Sequence, residues 1–301
     1  MNAPGAVRPA SGATGKSMPL QPGHEAIASK GWLGAHKWLI ARRLVQFTVL
    51  GLFLAGPWAG IWIVKGNLSS SLTLGVLPLT DPFVLLQSLA ARHWPAAAAL
   101  TGVVIVMLFY ALVGGRAYCS WVCPVNVVTD SAAWLRRRLG IKTGKVPSSA
   151  TRWWLLGGLL LASAATGMTV WEFVNPVSMA HRAIIFGGSA AWLVVIAVFG
   201  YDLLVANRGW CGHVCPMGAC YATLGRASLL RVSAASRSAC NDCMDCFVVC
   251  PEPQVIRPAL KALNGAGPII QFPECTNCGR CIDVCSKNVF RYAHRFDQRS
   301  A

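Results

Sequence analysis

Residues 240–251 read Cys240-Asn-Asp-Cys243-Met-Asp-Cys246-Phe-Val-Val-Cys250-Pro251, and residues 275–285 read Cys275-Thr-Asn-Cys278-Gly-Arg-Cys281-Ile-Asp-Val-Cys285. Three thiolates spaced in this way can face three irons of a [4Fe–4S] cube from one tight loop, while the fourth reaches the other cube. Crossed ligation then assigns Cys240, Cys243, Cys246 and Cys285 to one cube. The second is assigned to Cys275, Cys278, Cys281 and Cys250. Zinc knuckles and disulfides are the rival readings. Zinc wants ligand pairs separated by a longer gap, which two tandem four-cysteine runs do not offer. Ser286 stands where a proline usually follows the second run, but that position is not a ligand.

The spacing gives residues 236–301 the pattern of a bacterial-type 2[4Fe–4S] ferredoxin domain. So small a region cannot bury a large core unaided, so the clusters would shape much of it. The rest of the 301-residue chain is of another kind. Apolar residues make up 54% and charged residues 13%, against about 25% charged in soluble domains. The formal charge is +16. The cations form neither a reading helix nor a basic tail, which argues against nucleic acid; they sit beside apolar runs, as membrane topology requires.

Four windows approach the roughly 20 residues that span a bilayer: about 44–64, 94–113, 153–171 and 183–206, charge-free but for Asp202 near the end of the last. Residues 1–43 hold six Lys and Arg, 65–94 two, 115–152 seven, 172–182 one and 207–301 eleven. The positive-inside rule therefore puts both termini and the middle connection in the cytoplasm. The expectation is an α-helical, multi-pass protein of the bacterial inner membrane. It has a disordered N-terminus (1–31), a four-helix membrane domain (32–235) and the cytoplasmic ferredoxin domain. Arg42-Arg43 before the first span suggests an export signal, but that span is long and lacks a clear cleavage site, so it reads as an anchor.

The membrane part reads as a weak two-fold repeat. In each half a span, an outward loop and a second span lead to a cysteine motif: Cys119-Ser-Trp-Val-Cys123-Pro124, then Cys211-Gly-His-Val-Cys215-Pro216. Thr80-Asp81-Pro82 in the first loop signals a capped helix start. A spacing of four puts two thiols on one helical face, and the following proline pushes the second cysteine out of helical geometry. The four thiols read as packing groups, as a redox dithiol pair or as ligands of a further metal or cluster. Their twin placement favours the redox or metal readings. Cys220 has no counterpart and reads as structural.

In combination, these features resemble the NapH/MauN group of membrane ferredoxin-type proteins. The resemblance covers about residues 30–290. It rests on the ferredoxin runs, the twin Cys-x3-Cys-Pro motifs, and stretches such as Pro78-Leu79-Thr80-Asp81-Pro82 and Gly209-Trp210-Cys211-Gly212-His213. It implies a quinol dehydrogenase component that works with a NapG-like periplasmic ferredoxin and passes electrons through c-type haem proteins to a nitrate reductase. It transfers no quinone residue. Proton acceptors near span ends are therefore sought among ionisable groups. Glu172, Asp81, His181 and His93 lie on the outer side and Asp202 on the inner, with Glu172 leading because it directly follows a span. The competing reading is a membrane iron–sulfur anchor or assembly factor. Nucleophilic triads, Walker loops and dinucleotide glycine motifs are missing.

Overall fold

The computed structural model describes residues 22–141, 144, 146–187 and 189–297. Helix α1 runs His24–Ala59. Of the tail expected to be disordered, residues 1–21 lie outside the described residues, and the remainder is helical from His24. The reason is a partner. The Gly23 amide donates to Asp245 (2.8 Å), the Lys30 ammonium donates to the Ile282 carbonyl (2.9 Å), and the Trp38 and Leu39 amides donate to Asp283. The first half of α1 is thus a strap across the ferredoxin segment.

After α1 comes a small antiparallel meander of β1 (Val64–Gly66), β2 (Ser70–Thr73) and β3 (Leu77–Thr80). Strands of three or four residues leave no alternating run long enough to read, so the meander has no counterpart in the pattern expected from sequence. Helix α2 (Pro82–Ala90) starts where the Thr-Asp-Pro signal indicates: Asp81 accepts from the Phe83 amide at 2.7 Å. Helix α3 (Ala97–Val113) begins later than the expected Trp94, because a residue preceding proline is pushed out of the helical region.

Short α4 (Ala117–Trp121) and α5 (Val125–Arg138) follow, then α6 (Thr151–Thr166), α7 (Pro176–Phe186) and α8 (Ser189–Gly200), which runs into a π-turn over Tyr201–Val205. Left-handed glycines stop three of the helices: Gly60 after α1, Gly167 after α6 and Gly187 after α7. Three expected span limits are corrected accordingly. Val64 lies in a strand, Trp171 lies in a 3₁₀ turn (Val170–Phe173), and residues 183–186 belong to α7 rather than to the last apolar helix. Asn175 caps α7 through the Val177 amide (3.0 Å), as Asp81 caps α2.

Among the described residues, α1 alone is both long and apolar enough to cross a membrane; α3 and Ala191–Val205 are apolar but shorter. Large apolar side chains on several helices face outward with nothing over them: Trp154 is 81% exposed, Leu161 73% and Leu193 65%.

The chain continues through a second π-turn (Trp210–Val214) and α9 (Pro216–Gly225). The ferredoxin segment then consists of β4 (Leu230–Ser233), α10 (Asp245–Val249), α11 (Ile256–Lys261), α12 (Arg280–Val284) and β5 (Arg291–His294). Strand β4 pairs antiparallel with β5, Leu230 opposite His294, so the domain begins before residue 236. A separate apolar core holds it together, built on Val232, Ile256, Ile270 and Phe290.

Buried charge fastens this domain to the helices. The Glu252 carboxylate accepts from Arg116 (2.6 Å) and Arg152 (3.0 Å), and all three side chains are 1% exposed. Two guanidinium groups outweigh the burial that would raise the Glu252 carboxyl, and hold it below its ordinary range. Removing one partner of a buried network strands the remaining charge, at about 3–5 kcal/mol. Glu252→Gln is therefore expected to lower the thermal midpoint of the detergent-purified protein and to expose the C-terminal domain to limited proteolysis. A wild-type melting curve and digestion pattern would contradict this.

Candidate metal centres

Local backbone brings the eight C-terminal cysteines into two groups. In each run a residue with positive φ, Asp242 or Asn277, turns the loop between the first two cysteines. Positive φ at Met244 and at Gly279 then starts the short helices α10 and α12. The fourth cysteine of each run lies just past the helix, in extended conformation, and points across to the other loop. Cys240, Cys243, Cys246 and Cys285 line one small cavity. Cys250, Cys275, Cys278 and Cys281 line another. Each cavity is thus lined by three cysteines of one run and the fourth of the other. Among the described residues, no three His, Cys, Asp or Glu converge on a point as a single ion would require. The thiols instead surround voids, an arrangement that suits a cube with an iron at each of four corners.

The two cavities differ electrostatically. Burial pushes the Cys250 and Cys281 thiols well up. Cys278 is the exception: against its burial, the charges of Arg280 and then Arg42 hold it down at about 7. Its cavity also abuts the helical domain. Ser120 donates to the Thr276 carbonyl (2.8 Å), and the Trp121 indole donates to the Asn277 carbonyl (3.0 Å). The Asn277 amide donates in turn to the Val113 carbonyl (3.0 Å).

Those contacts lead to the Cys-x3-Cys-Pro motifs. Cys119 lies in α4 and Cys123 just past its end, while Cys211 lies in a π-turn and Cys215 in extended backbone before α9. Pro124 and Pro216 take the second cysteine of each pair out of the helix. The four sulfurs are buried within electrostatic reach of one another. Arg116 is the hub between this group and the second cavity: it reaches Cys119, donates to the Cys211 carbonyl (2.7 Å), and pairs with Glu252 two residues after Cys250. Sequence reasoning missed Arg116, Arg152 and Glu252. The available signal was charge in a charge-poor chain, adjacent to cysteine motifs. Cys220 is buried in the same core as Cys123, with Cys119 and Cys215 packed against it.

The acid–base candidates separate. Glu172 sits in a nest of hydroxyls and amide, accepting from Ser69 (3.1 Å), Ser178 (2.8 Å) and Asn175 (3.1 Å). Asp81 lies near it, buried, with one oxygen committed to the α2 cap and the other without a hydrogen-bond partner among the described residues. His181 is buried edge-on to Phe53, its Nε2 likewise without a partner among the described residues. His93 is exposed and bonded to the Gly167 carbonyl. Asp202 is remote from these and accepts the Trp210 amide (2.9 Å), a structural task.

The family described as "4Fe-4S binding domain" matches the chain twice, over residues 95–142 and 185–233. Each match contains one Cys-x3-Cys-Pro motif. The ferredoxin-type protein NapH of Escherichia coli is 50% identical over 91% of this chain and 95% of its own. Haemophilus influenzae NapH is 48% identical over 93% and 97%. The methylamine utilization ferredoxin-type protein MauN of Methylorubrum extorquens is 54% identical over 90% and 94%. The chain belongs to the NapH/MauN family of ferredoxin-type electron-transport proteins. No solved structure matches it.

Burial raises the Asp81 carboxyl to about 7, with the Phe83 amide opposing and Glu172 assisting. An unfolded aspartate ionises near 3.8. The folded state thus holds the extra proton between these values, and stability falls as pH rises through that window. Asp81→Asn keeps the cap, since Asn175 caps α7, and removes the titration. The variant is expected to melt with a flatter pH profile between about 4 and 7, and above wild type beyond pH of about 7. A profile as steep as that of the wild type would refute the assignment.

Proposed function

We propose that the chain is a membrane electron-transfer subunit that takes electrons from quinol and passes them through iron–sulfur clusters. The route leads toward a periplasmic nitrate reductase, through a NapG-like ferredoxin and c-type haem proteins. The observation that carries this reading is the crossed grouping of eight thiols around two cavities, in a domain fastened to the loops of two further cysteine motifs. One cube is held by Cys240, Cys243, Cys246 and Cys285, the other by Cys250, Cys275, Cys278 and Cys281. When bound, cubes supply one-electron storage, which a two-electron donor such as quinol needs divided. Cys119, Cys123, Cys211 and Cys215 form a third redox or metal site. Two family matches over their segments support that assignment, as does the shared burial of their sulfurs.

The same reading makes α1, α3, α6 and α8 with its π-turn the four spans, arranged as two repeats with cytoplasmic termini. Support comes from the outward apolar faces, the doubled family match and the equivalent caps at Asp81 and Asn175. Quinol loses protons as well as electrons, so a buried acceptor near the lipid is required. Glu172, held among Ser69, Asn175 and Ser178 beside Asp81, fits that task best.

A second reading has its own observation. Identity to the MauN relative, at 54%, matches that to the NapH relatives. Electron transfer in methylamine oxidation therefore rests on the same site, and the partner rather than the chemistry would distinguish the two.

The test is iron and acid-labile sulfide counting on anaerobically purified protein, with paramagnetic resonance during a quinol titration. About eight irons are expected for two cubes and about twelve if the motif cysteines hold a third. Cys250→Ala and Cys275→Ala should lose the same cluster signal, and Cys285→Ala the signal that Cys240→Ala loses. Clusters that quinol leaves spectroscopically unchanged would sink the electron-transfer reading in favour of an anchor or assembly role.

A further inference from the structure

Between α1, α5, α12 and the end of α8 lies a cleft of about 1020 Å³. Six arginines line it: Arg42, Arg43, Arg137, Arg138, Arg208 and Arg280. Two carboxylates face them, Asp130 and Asp283, and the Cys278 thiol stands against Arg280 and Arg42, which still leaves a local excess of positive charge; His36 is also on the wall. Asp283 is occupied by the Trp38 and Leu39 amides. Asp130 is saturated: Arg43, Arg208 and Arg280 hydrogen-bond to it, and Arg42 Nη1 stands at 3.8 Å. Against its burial, these arginines keep the Asp130 carboxyl well below its ordinary range.

One aspartate cannot satisfy so many donors. Among the described residues, Arg42 Nη1, Arg137 Nη1, Arg208 Nε and Arg280 Nη1 are buried without a hydrogen-bond partner, although the Arg280 side chain also bonds the Cys278 thiol. Arg42 is 1% exposed and Arg280 6%. Burying a cation without an acceptor is costly, so this arrangement calls for a second anion. That anion needs several oxygens, because four guanidinium groups converge from different elements. Tetrahedral phosphate offers this, and guanidinium forks match its geometry in bidentate fashion. The remaining wall is apolar: Ile27, Leu39, Trp134, Leu135, Phe199 and Val249. A charged floor with an apolar side suits an amphiphile better than a bare ion.

We propose that this cleft binds a phosphate-bearing anion, its oxygens taken by Arg42, Arg137, Arg208 and Arg280. Basic pockets between helices at the cytoplasmic face are where acidic lipid headgroups dock. The lipid source rests on the inner-leaflet placement proposed above; the anion site itself does not. It would also give the paired Arg42-Arg43 a task. Their charges hold a ligand and Asp130 beneath the mouth of α1, and Arg280 lies one side chain from Cys278.

The test uses the full-length protein, delipidated in zwitterionic detergent, and reads binding rather than electron transfer. Phosphatidylglycerol, phosphatidylcholine and inorganic phosphate are added separately. Bound lipid is measured by native mass spectrometry, and each addition is scored by its shift in thermal midpoint. Retention of phosphatidylglycerol but not phosphatidylcholine, undisturbed by inorganic phosphate, is the expected result and identifies a lipid source. Protection by inorganic phosphate, with displacement of the lipid, supports the site and identifies a soluble source. Arg42→Gln should abolish retention. Because Arg42 also holds Asp130, the rim pair Arg137→Gln with Arg138→Gln gives an independent check and should weaken binding roughly tenfold or more. The proposal fails if neither phosphate compound binds in preference to phosphatidylcholine, or if the rim pair binds as wild type. Loss of quinol reactivity with binding intact would sink the functional reading alone.

Discussion

The rest of the structure depends on a carboxylate placed between two guanidinium groups where water does not reach. Glu252 follows the fourth cysteine of the first run by two residues, and Arg116 precedes the first motif cysteine by three. Their contact joins the helical part of the chain to the ferredoxin segment. Such a pair contributes little net stability against an apolar replacement, but its geometry is demanding. Arg116 uses both terminal nitrogens: one on Glu252 and the Glu274 carbonyl, the other on the Cys211 carbonyl. Arg152 adds the Gly212 carbonyl (2.9 Å). The loop of the second motif is thereby set against the second thiol cavity. Apolar packing alone would leave that docking free to slide.

Asp130 performs a similar task on the other side of the ferredoxin segment, with arginines drawn from α1, α12 and the turn before Trp210. The two networks differ in balance. At Glu252, a second carboxylate, Glu274, approaches Arg152 at 3.4 Å, so charges nearly cancel. At Asp130 they do not. The first network reads as a fastening, and the second as a fastening with capacity to spare.

Legibility from sequence followed interaction range. The cysteine runs were readable because a cluster loop is local: spacing alone sets which sulfurs can face one void, and the cavities group them in that crossed order. The Asp81 cap was readable for the same reason, since donor and acceptor are two residues apart. Span limits were misjudged where hydropathy continues through a chain reversal. Residues 183–186 are as apolar as helix α8, yet Gly187 turns the backbone between the two helices. The strap up to residue 31 looks disordered in sequence because its partners are distant: Asp245 lies 222 positions from Gly23, and Ile282 252 from Lys30. Arg116 and Glu252 are 136 positions apart, and no periodicity in either segment announces the other.

The buried core of the helical domain brings the motif cysteines together with a set of aromatic rings. Phe83 and Trp171, beside the Asp81 and Asn175 caps, belong to one continuous core with Tyr110, Tyr118, Tyr221 and Cys123. Tyr118 and Tyr221 stack at 4.9 Å, and Tyr110 meets both edge-on. Cys119 and Cys215 pack against the same core as these rings and Cys123. Beside them, Arg116 leads on to the second thiol cavity. The first cavity lies beyond it, with α10 against α12 and Gly23 held to Asp245. Aromatic rings and buried motif thiols thus share one core, and Arg116 links the motif loops to the second cavity.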